Sequence, residues 1–195
     1  MRLFFAVELS PGARRLLESA LREFAASGAD AKWVTPDAMH LTLAFLGEVR
    51  PERLDSLRGA ASRAAAGKAA YKLSLSGLGA FPSWKAARVV WAGIDAGADA
   101  TKRLADDLRA ALKEEGFPVE EREFVPHATI GRLRSSRKLE SLAAAAQAWA
   151  RGPQARWEQT GGTVDAFALV QSTLTPRGPR YEDVARFSLS SVPCA

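Results

Sequence analysis

The apolar pattern at the start of the chain has a strand period over residues 3 to 8 and then changes to a helical one. In SPGARRLLESALREFAASG, Ser10 is placed to cap a helix that Pro11 opens. Leu17, Leu21 and Phe24 form its apolar stripe, and Gly28 closes it. A short extended piece at 32–34, a turn at TPDA and a strand at about 39–46 follow. Pro51 then opens an Arg-rich and Ala-rich helix that Gly67 ends, and YKLSLSGL returns to the alternation of a strand.

The order then begins again. RVVWAGI at 88–94 predicts a strand, ADATKRLADDLRAALKEEG at 98–116 a helix with stripe Leu104, Leu108 and Leu112, and 125–133 another strand. A helix at about 137–150 and a strand at 163–170 complete the second series. First strands are offset by 85 residues, first helices by 86 and second helices by about 87. This is a duplication of architecture, with halves at about 1–80 and 86–171. The fold class it predicts is α+β: two pseudo-symmetric lobes, each a small, largely antiparallel sheet covered by helices, around a central cleft. A final strand near 184–190 must join one lobe's sheet, so residues 1–195 are expected to form one bilobal domain.

Composition narrows the function classes. Apolar content of 47% and charged content of 25% fit an ordinary folded chain, and no apolar run approaches the length of a membrane span. LFFAV is too short for a signal-peptide core, so a cytoplasmic protein is expected. One cysteine, Cys194, excludes an internal disulfide, and with two histidines no Cys/His zinc spacing can be assembled. No metal or other cofactor is expected. The net charge of +5 suits a polyanionic partner, and equally a solvated surface.

Both histidines open the same phrase, His-x-Thr-aliphatic: His40 in MHLTLAFLGE and His127 in FVPHATIGRL, 87 positions apart. On a strand, His40 and Thr42 share a face, as do His127 and Thr129. Regular alternation puts Ala38 and Ala44, and in the second copy Val125 and Gly131, on that polar face, with Leu41, Leu43 and Phe45 opposite. Small neighbours around a polar pair describe a cleft wall. Two such strands on opposite walls would bring two imidazoles and two hydroxyls to one point. There, one histidine can act as general base and the other as general acid on a phosphoryl centre, while the threonine hydroxyls donate to its non-bridging oxygens. Acyl-transfer and nucleotide-binding fingerprints are absent from the sequence.

These tetrads resemble those of the 2H phosphoesterases. MRLFFAVEL, WVTPDAMHLTLAFLGEV, GAFPSWKAARVVWAGI, FVPHATIGRL and STLTPRGPRYEDVARFSL narrow the resemblance to the RNA 2′,3′-cyclic phosphodiesterases, also known as tRNA 2′-5′ ligases. The resemblance implies a metal-free two-lobed fold with His40 as proton donor and His127 as proton acceptor. It also implies RNA with 2′,3′-cyclic phosphate ends as partner, tRNA halves among them, opened to 2′-phosphate ends. No obligate protein partner is implied. The alternatives are 2′-5′ ligation as the physiological direction, action on a small cyclic nucleotide, and a catalytically silent RNA-binding protein.

Further substrate contacts are expected from fewer signals. Arg132 is out of phase with Thr129 and faces away unless Gly131 forms a bulge. The loop TPRGPR, with Arg177, Arg180 and the following Tyr181, lines the RNA entrance or is a solvated turn. Trp91 and Phe124 are expected in the core rather than stacked on a base.

Overall fold

Ser10 caps the first helix as its position predicts: its hydroxyl accepts the Ala13 N–H at 3.0 Å, and Pro11 occupies the first turn. The structure, a computed structural model, describes residues 1–176 and 178–190; Arg177 and Cys194 lie outside the described residues. In chain order the elements are β1 (Arg2–Glu8), α1 (Pro11–Ala26), β2 (Ala31–Trp33), β3 (His40–Glu48), α2 (Leu54–Ala65), β4 (Tyr71–Leu73), β5 (Leu75–Phe81) and β6 (Val89–Ile94). They continue with α3 (Ala98–Glu114), β7 (His127–Leu133), α4 (Leu139–Arg151), β8 (Gly162–Val164), β9 (Ala166–Thr175) and β10 (Gly178–Ser188). No helix of the described residues is long and apolar enough to cross a membrane.

The fold is α+β, with antiparallel pairing between all of the named strands. One sheet runs in the order β10-β9-β1-β3-β7-β6-β5, with β2 added along β7. It narrows at its centre to a single pairing, Leu41 with Ala128, between β3 and β7. Each side of that waist has its own core. Leu3, Phe5, Leu41, Leu43, Phe167 and Leu169 bury against α2 and α3, whereas Val90, Ala92, Ala128 and Ile130 bury against α1 and α4. Fully burying each large apolar side chain contributes about 1.5–3 kcal/mol, so each lobe has its own hydrophobic reason to hold.

The lobes are not the two halves of the chain. Helix α1 follows β1 in sequence but covers the β5-β6-β7 side, and α3 follows β6 but covers the β1-β3 side. Strands cross over likewise, with β5 beside β6 and β9 beside β1. This exchange locks the halves into one unit.

Three predicted elements differ in extent, the first being the strand expected at 163–170, which divides at Asp165 into β8 and β9. YKLSLSGL divides at Ser74, whose backbone bonds to Asp95 and Ala96; β4 pairs with β8 in a separate ribbon while β5 enters the main sheet. The final strand starts six residues earlier than expected, at Gly178, because β9 continues to Thr175 and the two form a hairpin.

Candidate active site

Each histidine strand carries a bulge at the same point. On β3, Ala6 pairs with Thr42 and Phe5 with Ala44, leaving Leu43 as the extra residue. On β7, Trp91 pairs with Thr129 and Val90 with Gly131, leaving Ile130 extra. Leu43 and Ile130 stand at equivalent positions, each three residues after its histidine. A bulge inverts the alternation beyond it.

Three expectations of facing are therefore corrected. Ala44 turns into the core at 4% exposure, and Gly131 is buried under the Trp33 ring, where a β-carbon would collide. Phe45, expected in the core, is 46% exposed and faces the cleft. For Arg132, whose facing depended on a bulge at this point, the bulge is present, and the side chain lines the cleft.

The tetrads are neighbours on one sheet face rather than opposite walls. One residue out from the Leu41–Ala128 pair, the antiparallel register sets His40 level with Thr129 and Thr42 level with His127. Such diagonal neighbours, here the two imidazoles, stand about 7–8 Å apart at their backbones, which leaves room for a tetrahedral group between the rings. The expected convergence is achieved, by a different route. Behind it, Leu41, Ala128 and Ile130 are fully buried and fix the strand faces.

Two cavities meet at this point. One of about 350 Å³ lies on the His40 side and one of about 610 Å³ on the His127 side. Arg2, Thr42, Phe45, Thr129 and Arg132 line both. Arg132 is thus placed between the histidines, and its charge contributes to holding down the pKa of each.

Hydrogen bonds fix the tautomers. His40 Nδ1 lies 2.8 Å from the Ala38 carbonyl and His127 Nδ1 lies 2.7 Å from the Val125 carbonyl. A carbonyl only accepts, so Nδ1–H donates in both rings and each neutral imidazole keeps its lone pair on Nε2. His40 Nε2 is 3.0 Å from Thr42 Oγ1. Burial pushes the His40 pKa down to about 4, opposed by the Ala38 bond. His127 is lowered in the same way, burial first, with the Val125 bond opposing and Arg132 and Arg122 adding to the decrease. Both rings are neutral at pH 7 in the free protein.

Aromatic rings seat both imidazoles. Phe4 stacks on His40 with centroids 4.7 Å apart, and Tyr181 meets it edge-on at 5.3 Å. Phe81 meets His127 edge-on at 5.1 Å, with Trp91 behind it at 6.1 Å. Trp91, expected in the core, therefore lies beside the site, over Gly79, which has no side chain to displace it. Phe124 does enter the core, at 6% exposure.

The β10 positions separate by their faces. Tyr181 lines the His40-side cavity, whereas its neighbour Arg180 is exposed, ion-paired with Glu182 at 2.7 Å, and lines neither cavity. Because TPRGPR runs into a strand, adjacent residues point apart. Arg2, Phe4, Lys32 and Trp33 were not singled out from the sequence. For Arg2 and Phe4 the alternation of RLFFAVE held the signal: with Leu3, Phe5 and Val7 in the core, they share the face of β1 that adjoins His40 and Thr42.

Known proteins are similar to this chain in sequence and in fold. A family model described as the 2′-5′ RNA ligase superfamily matches residues 11–175. An Archaeoglobus fulgidus protein named RNA 2′,3′-cyclic phosphodiesterase is 36% identical over 188 residues, covering 96% of this chain and 99% of that protein. A crystal structure of a Thermus thermophilus protein superposes with a TM-score of 0.76 at 32% identity, covering 97% of this chain and 98% of that one. The crystal structure of E. coli LigT complexed with 3′-AMP gives 0.74 at 28% identity, over 97% and 98% of the chains. On a match that spans most of its length and includes both histidine tetrads, this chain belongs to the 2′-5′ RNA ligase superfamily.

Proposed function

We propose that this protein is an RNA 2′,3′-cyclic 3′-phosphodiesterase, opening cyclic phosphate ends to 2′-phosphate ends by metal-independent acid/base catalysis between His40 and His127. The observation that carries this reading is the pair of Nε2 atoms, each freed toward one cleft by an Nδ1–carbonyl bond. Relatives named RNA 2′,3′-cyclic phosphodiesterase support the substrate class.

In this mechanism Nε2 of His127 takes a proton from water as the water oxygen bonds to phosphorus. The bond from phosphorus to the ribose O3′ breaks, and Nε2–H of His40 protonates that oxygen. Thr42, Thr129 and the Arg132 guanidinium hold the non-bridging oxygens as charge builds on them. An acid, a base and a fixed cation cover the roles that a metal ion fills elsewhere. Tyr181 and Lys32 flank the ribose side. Within a cell the setting is the cytoplasm, with RNA fragments such as tRNA halves as substrates.

The reading is tested with an RNA ending in a 2′,3′-cyclic phosphate, incubated with the protein in excess chelator. The expected product is a terminal 2′-phosphate alone. In-line attack fixes one ring orientation, so a mixture of isomers would refute the single-orientation argument, and loss of turnover in chelator would refute the metal-free mechanism.

The pH profile follows from the same assignments. His40 must be protonated and His127 neutral, yet burial lowers the pKa of both rings below 6.5 in the free protein. The kcat/KM profile, which reports the free protein, is therefore expected as a bell centred on the acid side of that value. A bound phosphate anion favours the imidazolium, so the alkaline limb of kcat should lie at higher pH than that of kcat/KM. Because the rings share one site, the two limbs belong to the pair. A kcat/KM that is flat from pH 5 to 9 would contradict the assignment.

A further inference from the structure

The His40-side cavity, at about 350 Å³, has room for the one nucleotide that carries the cyclic phosphate, so a longer RNA must leave through its mouth. The two rims of that mouth differ in charge. On the β9-β10 side stand Leu174, 69% exposed, Gly178 and Pro179, and Arg180 of that hairpin is committed to Glu182 at 2.7 Å. On the β2 side stands Lys32, exposed and level with Arg132 in the β2-β7 register.

The cationic rim continues beyond the cleft. Leu133 packs against the core on the α1 and α4 side, so alternation returns Arg134 to the cleft face, roughly 6.6 Å along the strand from Arg132. The Arg134 N–H donates to the Asp30 carbonyl at 2.8 Å, which carries the β2-β7 pairing one step past Leu133. The turn that follows is pinned to the same residue: Ser135 Oγ donates to Asp30 Oδ2 at 2.9 Å and accepts the Arg137 N–H at 3.3 Å. Lys32, Arg132, Arg134 and Arg137 are all exposed, and none has an ion-pair partner among the described residues. The carboxylates of this segment are Asp30, engaged by Ser135, and Glu140 in the first turn of α4. A row of cations held by backbone bonds and short of counter-charge suits a chain whose phosphates repeat along its length.

We infer that β2 and the turn between β7 and α4 form a track, outside the cleft, for the RNA strand upstream of the cyclic end, with Lys32, Arg134 and Arg137 holding its phosphates. The inference rests on the proposed phosphodiesterase reading and adds to it a surface that distinguishes an RNA chain from a cyclic mononucleotide. The strand leaves over β2 because the opposite rim offers apolar surface and an arginine already paired. Nothing on the track touches the reacting bonds, so it binds ground state and transition state alike and acts on KM rather than kcat. Phosphates carry no base identity, so the gain is independent of sequence.

The test compares kcat/KM of the full-length protein on a nucleoside 2′,3′-cyclic monophosphate and on a short RNA ending in a 2′,3′-cyclic phosphate, over a series of salt concentrations. Arg134→Gln combined with Arg137→Gln is expected to lower kcat/KM on the RNA about ten-fold, through KM, and to leave the cyclic mononucleotide within about two-fold. The logarithmic slope of the RNA's KM against salt should become less steep by about 0.7 for each phosphate contact removed, a readout that a merely structural role would not move. An RNA with uncharged methylphosphonate linkages just upstream of the cyclic end should lose the same affinity for the wild type and no more for the double variant. Arg15→Gln combined with Arg22→Gln removes the same charge from exposed positions of α1, behind the sheet, and should alter turnover of neither substrate. Equal losses on the RNA in the two double variants overturn the inference, as does an unchanged salt slope in Arg134→Gln/Arg137→Gln, or a wild-type protein that does not prefer the RNA to the cyclic mononucleotide. A wild-type protein that opens neither substrate overturns the phosphodiesterase reading instead.

Discussion

His40→Ala and His127→Ala are each expected to lower kcat/KM on a cyclic-phosphate RNA by about 10²–10⁴, the usual contribution of a positioned acid or base. The double variant should be far less than multiplicatively worse, because removing either ring already disables the pair. The expected site of loss is chemistry rather than binding. Arg132, Thr129 and the aromatic linings stay in place around the phosphate, so KM should change less than kcat. Each histidine sits on a strand whose other face is buried at Leu41 or Ala128, so truncation removes a ring from the cleft side and leaves the core intact. A thermal melt close to that of the wild type is the control. Near wild-type turnover by either folded variant would remove that histidine from the mechanism. A silent RNA-binding protein, by contrast, would show no turnover to lose while retaining its affinity in both variants.

Local periodicity made the elements legible, and chemistry made the tetrads legible. The Ser10 cap, the stripe of α1 and the shared face of each histidine with the threonine two residues on depend on neighbours within a few residues, and each lies where the pattern put it. What the pattern could not hold is pairing between distant segments. A stripe of Leu17 and Phe24 says that α1 must bury a face, but not that it buries it in the lobe with β7 rather than beside β1. The bulges at Leu43 and Ile130 are likewise properties of two strands in register, and they invert the faces of Phe45 and Arg132. Arg180 takes the solvated one of its two expected settings for the complementary reason. Its turn residues predict a loop, where facing is free, and pairing with β9 makes the segment a strand, where Tyr181 takes the cleft and Arg180 the solvent.

Arg132 holds one of these inverted positions, between the two histidines. Arg132→Ala is expected to lower kcat/KM by about 10²-fold, since a cation aimed at developing phosphoryl charge is worth a few kcal/mol. A loss of rate alone would not separate a phosphate contact from a structural role. The pH profile does. Arg132 is a source of positive charge acting on both His40 and His127, and that charge lowers the pKa of each. Removing it should let both pKa values rise, so the kcat/KM bell of Arg132→Ala should move to higher pH as its height falls. Arg132→Lys keeps the charge but not the planar fork, so its bell should stay close to that of the wild type while its height falls between the two. Arg180→Ala, with its guanidinium in solvent against Glu182, should alter neither height nor position. A fall in rate for Arg132→Ala with no displacement of the bell would place the guanidinium away from the imidazoles. A bell that moves equally in the alanine and lysine variants would show that packing, not charge, holds the two pKa values down.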